Sequence, residues 1–145
     1  MTVLTASAQG TSPYSETVLT HAVRPLNCRP MDRPDGFARI TGSCGDTMEF
    51  YIGLEEGDRI AEITFQTDGC LTTCASASMT VQLATGRRLG DALGIGQQEI
   101  LEALDGLPAD SEHCALLAAN TLRAAIVDAA RMRPEPWKRL YRTFR

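Results

Sequence analysis

No apolar run in this sequence approaches the ~20 residues needed to span a bilayer. The opening stretch, MTVLTASAQGTSP, lacks a basic segment, an apolar core and any arginine. Neither a secretory signal nor a transit peptide is therefore expected, and a reducing cytoplasm is the expected compartment. Internal repeats and low-complexity tracts are absent. Hydrophobic residues make up 43% and charged residues 22% of the 145, values that exclude disordered and collagen-like chains. A single domain of this length buries roughly 70% of its unfolded surface and needs no disulfide staples.

The net charge is −4, but it is unevenly placed. Residues 131–145 carry six Lys/Arg against the single Glu135, while the rest of the chain carries eight Lys/Arg against seventeen Asp/Glu. An acidic body lacks the basic face that phosphate neutralisation requires, so nucleic acid is excluded as the main partner.

The organisation expected is a small polar tail over 1–12, a folded domain over 13–133, and a basic extension over 134–145 in which Trp137, Leu140, Tyr141 and Phe144 share helical spacing. A first helix is expected from Ser12-Pro13 to about Ala22, with Tyr14, Val18 and Ala22 on one face. Three prolines between Arg24 and Asp35 mark a loop. The period then changes to two: Gly36–Thr41, then Met48, Phe50, Ile52 and Leu54 on one face, then Ala61, Ile63 and Phe65 inward. These are three strands of an antiparallel meander. Helical patterns follow over Leu71–Thr85, ended by Gly86, over Gln97–Leu104, and over about Glu112–Arg131, capped by Ser111. Strands first and helices after them give an α+β domain.

Five cysteines carry the chemistry: Cys28, Cys44, Cys70, Cys74 and Cys114. An odd count without a secretory signal does not describe a disulfide framework, and no C-x2-C pattern is present. Thiols in such a chain are metal ligands, nucleophiles or small core residues. Three of them fall at structural transitions: Cys44 in the β-turn Ser43–Asp46, Cys70 at the switch from strand to helix, and Cys114 behind His113 at the start of the longest helix. A helix N-terminus favours the thiolate, and three thiolates with an imidazole or carboxylate make a four-coordinate site for zinc or iron–sulfur. Asp46 is a hard oxygen donor among soft ones, which weakens and labilises the site. A catalytic thiol, with Cys114 as nucleophile and His113 or Asp46 assisting, is the competing reading; adjacent helical residues diverge by about 100°, which works against that pairing.

Four strings, in order, resemble the IscU/NifU-type iron–sulfur cluster assembly scaffold family: Tyr14-Ser15-Glu16 with His21, Pro25 and Asn27; Gly42-Ser43-Cys44-Gly45-Asp46-Thr47-Met48; Thr67-Asp68-Gly69-Cys70 with Ala75-Ser76-Ala77-Ser78-Met79; and His113-Cys114-Ala115. The resemblance spans Tyr14 to Arg131. It implies a SufE/NifU-like fold, a three-stranded antiparallel sheet packed by four to five helices. By the same resemblance Cys44, Cys70 and Cys114 are cluster ligands, Asp46 takes part in metal binding and release, His113 is an alternative ligand, and Cys114 accepts persulfide sulfur. The implied cargo is a transient 2Fe–2S cluster, or iron, with zinc able to take its place. The implied partners are a cysteine desulfurase and apo iron–sulfur proteins, with no membrane and with the chain a monomer or homodimer. The implied role is that of a carrier, not an enzyme; a structural or regulatory zinc protein of the same fold is the alternative. Where related bacterial chains carry Leu-Pro-Pro-Val-Lys, this one has Leu107-Pro108-Ala109-Asp110-Ser111-Glu112, which argues against an Hsp70-type chaperone partner. Cys74 is extra to the pattern and stands one helical turn after Cys70, as a fourth thiolate, a resolving thiol or a core residue. Cys28 is read as incidental, and His21 as structural.

Overall fold

The structure is a computed structural model that describes residues 12–132. Its elements are helix α1 (Glu16–Val23), strands β1 (Gly36–Thr41), β2 (Thr47–Glu55) and β3 (Arg59–Thr67), and helices α2 (Leu71–Ala84), α3 (Leu89–Ala92), α4 (Gln97–Ala103) and α5 (Glu112–Met132). The strands form one antiparallel sheet in the order β1-β2-β3, so the α+β architecture with three strands and five helices is as expected. No helix among the described residues is long and apolar enough to cross a membrane.

The sheet has one apolar face. Met48, Phe50, Ile52, Ile63 and Phe65 are fully buried on it, with the Phe50 and Phe65 rings edge-to-face at 6.3 Å. The opposite face carries Phe37 against Tyr51 and an Arg39–Glu49 ion pair. In β3 the expected parity fails at one residue. Leu54 pairs with Ile60 and Gly53 with Glu62, so Ala61 is bulged out of the ladder. The bulge turns Ile60 into the core and leaves Ala61 exposed.

Helix α2 lies in the middle of the molecule and is buried on nearly every side. Its Ala, Ser and Thr composition is what allows this, because short side chains let the sheet and three helices approach together. The hydroxyls are satisfied within the helix: Ser76 and Thr80 donate to the carbonyls of Thr72 and Ser76. The helix ends as expected, with Gly86 in the left-handed region at φ +90.

Two helix starts differ from expectation. Helix α1 begins at Glu16, because Ser15 rather than Ser12 supplies the cap by accepting the Val18 N–H at 3.0 Å. Ser111 is the last residue of a 3-10 turn that runs straight into α5, and its hydroxyl donates to Asp110. The short helix α3 went unread because four residues are too few to show a period. The basic extension over 134–145 lies outside the described residues.

Helix α5 sits directly on β1. The Phe37 N–H donates to Asp128 Oδ2 at 2.9 Å, and a Cβ built on Gly36 would stand 2.5 Å from the Ala125 carbonyl oxygen and 2.6 Å from the Ala129 Cβ. Backbone cannot yield there as a flexible side chain can. Gly36→Ala is therefore expected to lower unfolding free energy by about 1–3 kcal/mol, the usual cost of overpacking, as a drop in the urea midpoint.

His21 is buried, with Nδ1 2.7 Å from Ser78 Oγ; that oxygen accepts the Leu26 N–H at 2.8 Å, leaving its proton free to serve the imidazole. Burial lowers the His21 pKa below its ordinary 6.5, despite a side-chain hydrogen bond with Gln82. A histidine held neutral by the fold contributes stability that is present above the unfolded value and is lost as pH falls through the folded one. Unfolding midpoints measured from neutral pH downward should therefore fall below about pH 6.5. The fall should be smaller in His21→Asn, which keeps a polar atom near Nδ1 but does not titrate.

Candidate functional site

Strand pairing brings the cysteine-bearing segments to one end of the sheet. Thr41 pairs with Thr47 and Met48 with Thr67, so the β1–β2 turn holding Cys44 and Asp46 adjoins the β3–α2 connection holding Cys70. Helix α5 reaches the same end, since a Cβ on Gly42 would touch the Leu117 side chain at 3.4 Å. The turn is closed by the Gly42 N–H donating to the Asp46 carbonyl at 2.8 Å, with Gly45 at φ +93. Asp68 fastens it to the next connection by accepting the Thr47 N–H at 2.7 Å.

Two threonines of the first turn of α2 join the site. Thr73 Oγ1 donates to Asp46 Oδ2 at 2.8 Å and stands 3.4 Å from Cys114 Sγ. Thr72 Oγ1 lies 3.4 Å from both Cys70 Sγ and Cys114 Sγ. A hydroxyl has one proton to give. With the Thr73 proton directed at Asp46, its oxygen presents a lone pair to the Cys114 thiol, so one hydroxyl serves both groups, as donor to the carboxylate and acceptor from the sulfur. Neither threonine was singled out at the level of sequence. The available signal was two hydroxyls directly behind a thiol at a helix cap.

Cys70 is the N-cap residue of α2, as its position predicts. Its thiol is held below the ordinary cysteine pKa, chiefly by the Thr72 hydroxyl, with the N–H groups of Thr72 and Thr73 adding to this against a smaller penalty from burial. Cys114 is buried at 2% exposure. His113 Nε2 comes within 3.8 Å of Cys114 Sγ; the length of the imidazole overcomes the angular divergence expected of adjacent helical residues. Cys44 is exposed and takes no part in the threonine network. Among the described residues no three Cys, His, Asp or Glu side chains are already grouped to hold a metal ion. The structure thus joins Asp46, Cys70, His113 and Cys114 and leaves Cys44 on the adjoining turn. Cys74 is half-buried, packed against the core, and its thiol is pushed up by burial.

The class defined is a small α+β domain whose three-stranded antiparallel sheet brings thiols, one carboxylate and one imidazole to one end. The model of the NifU-like N terminal domain family matches residues 13–134, and the chain belongs to that family. The iron-sulfur cluster assembly scaffold protein IscU 1 of Archaeoglobus fulgidus is 40% identical over 116 residues, covering 79% of this chain and 75% of the relative. The IscU scaffold protein of Escherichia coli K12 is 34% identical over 119 residues, covering 79% and 92%. The N-terminal crystal structure of a nitrogen-fixing NifU-like protein from Brucella abortus superposes with a TM-score of 0.64 over 82% of this chain and 95% of its own, at 16% identity, a likeness of fold.

The shared Thr73 hydroxyl carries a measurable consequence. In urea denaturation, a double-mutant cycle between Thr73→Val and Asp46→Ala should give a coupling of about 1 kcal/mol, the scale of a partly buried hydrogen bond to a carboxylate. Strict additivity of the two substitutions would show that the bond contributes nothing.

Proposed function

We propose that this chain is a scaffold on which an iron–sulfur cluster is built as cargo and from which it passes to apo-proteins. One observation carries the reading: a carboxylate and two thiols from three separate segments, Asp46, Cys70 and Cys114, meet on a pair of buried threonine hydroxyls, with a third thiol, Cys44, two residues from Asp46. A nucleophilic enzyme needs one activated thiol and leaves the other two without a task. A carrier needs several weakly held donors, and this set mixes soft sulfur with hard oxygen.

In this reading Cys44, Cys70 and Cys114 hold a 2Fe–2S cluster, with Asp46 or His113 completing the coordination. The oxygen donor is the one most readily exchanged, which favours release over storage. Sulfur comes from a cysteine desulfurase, whose persulfide passes its outer sulfur to Cys114; because Cys114 is covered, that transfer requires the site to open. Zinc suits the same donors. The domain has an apolar core independent of the site, so chelation is expected to leave it folded, which distinguishes a carrier from a protein whose metal builds its fold. The reading places the protein in the cytoplasm and without an Hsp70-type partner, since Leu107–Glu112 has no lysine and two acids, Asp110 and Glu112, where related chains carry Leu-Pro-Pro-Val-Lys.

Anaerobic reconstitution with ferrous iron, L-cysteine and a desulfurase, followed by visible absorption and circular dichroism, tests the proposal. The expected outcome is a stoichiometric 2Fe–2S spectrum that is lost in Cys44→Ala, Cys70→Ala and Cys114→Ala and is transferable to an apo-ferredoxin. Asp46→Ala should hold its cluster longer than the parent chain. A single tightly held zinc and no cluster would replace the scaffold reading with the zinc one.

A further inference from the structure

Four hydroxyls in and beside the long helices are spent locally. Ser76 and Thr80 of α2 and Thr121 of α5 each donate to the carbonyl four residues back, and Thr85 does the same just past the end of α2. Thr73 has no such partner within its helix, because the residue four back is Gly69, which precedes the Cys70 cap. Its hydroxyl instead crosses to the β1–β2 turn and donates to Asp46 Oδ2 at 2.8 Å.

Both ends of that bond are held. The Asp46 carbonyl accepts the Gly42 N–H at 2.8 Å, and the Thr47 N–H donates to Asp68 Oδ1 at 2.7 Å, so the backbone on either side of the Asp46 side chain is fixed. Thr73 is fully buried, its β-branch restricts χ1 within a helix, and the Gly69 turn backs it closely. The side-chain torsions of Asp46 are what the backbone leaves free, and Thr73 fixes them. Asp46 is half-buried, and among the described residues none donates to its second oxygen, Oδ1. The same Thr73 oxygen stands 3.4 Å from Cys114 Sγ. Oδ2 is therefore no farther from that sulfur than the two distances laid end to end.

We propose that Thr73 is a positioning residue for the metal donors: by holding one Asp46 oxygen near Cys114 it presents the other to a metal ion, and it acts on metal affinity through Asp46. This deepens the scaffold reading and rests on it in one point, that Asp46 is a donor. A carboxylate anchored by one oxygen meets the metal with its side chain already ordered, so that entropy is not lost at the moment of binding. Hydrogen-bond partners of ligating groups typically contribute about 10–100-fold to metal affinity. Equilibrium affinity counts every donor, whereas the rate of cluster release is set by the donor exchanged first.

The test uses the full chain, reduced and metal-free, with zinc alone as the probe, titrated anaerobically in competition with a chromophoric chelator. Thr73→Val keeps the shape of the side chain and removes the hydroxyl; it is expected to weaken zinc binding by about 10–100-fold. Thr73→Ser should keep the parent affinity. Asp46→Ala should also weaken zinc binding, and adding Thr73→Val to it should change the affinity no further. A merely structural effect of Thr73→Val would persist in the Asp46→Ala background. The proposal is overturned if Thr73→Val binds zinc as the parent does, if its loss is as large without Asp46 as with it, or if the parent takes up no zinc. Should Thr73→Val fail to fold by far-ultraviolet circular dichroism, Thr73→Ala takes its place in the same cycle. A chain that binds zinc in this Thr73-dependent way and builds no cluster defeats the scaffold reading alone. A cluster scaffold whose zinc affinity ignores Thr73 defeats this proposal alone.

Discussion

The arrangement depends on how tightly the chain reverses between β3 and α2. A Cβ on Gly69 would stand 2.5 Å from the Thr73 side chain, so the turn closes only because that position has no side chain. The closure sets Cys70 as the N-cap of α2 and swings the first-turn threonines beneath the β1–β2 turn. From there Thr73 reaches Asp46, and Thr72 reaches two sulfurs. A looser turn would leave the same residues in the same order without a shared site.

Helix α2 can occupy this place because of its composition. A helix buried on nearly all sides must be thin, and it must satisfy its polar atoms without water. Serine and threonine meet both needs by bonding back along the helix, while Ser78 instead serves His21 and Leu26. The same kind of side chain thus serves in packing, in anchoring the first helix and its following loop, and, at the N-terminal turn, in the site. The threonines hold Asp46 and the thiols by bonds to hydroxyls, whose single protons can be redirected at low cost. Such a support suits donors that take up and surrender cargo.

Much of this was legible beforehand. The alternation of Met48, Phe50 and Ile52 shows which face of β2 is buried, and turn residues and Gly86 mark the ends of elements. The ordered strings around Cys44, Cys70 and Cys114 identify the family. The reading failed where a neighbour in space overrode a local pattern. The bulge at Ala61 exchanges an alanine for Ile60 in the core, and no alternation count reveals it. Ser12 followed by Pro13 is the better local helix start, yet Ser15 is the cap and also donates to the distant Leu104 carbonyl. Beside Thr72 and Thr73 only Cys70 hints at a site; their other partners, Asp46 and Cys114, lie on two distant segments of the chain.

What the sequence alone determined is periodicity, punctuation and donor chemistry: three alternating strands, helices with their stops, and thiols with a carboxylate and an imidazole in a family's order. These are local properties, written in spacing and residue type. Only the tertiary structure decided which thiols share a hydroxyl and which one is covered. Those outcomes depend on the sheet register and on the direction in which α2 folds back, and both are set by packing between segments that are distant in sequence.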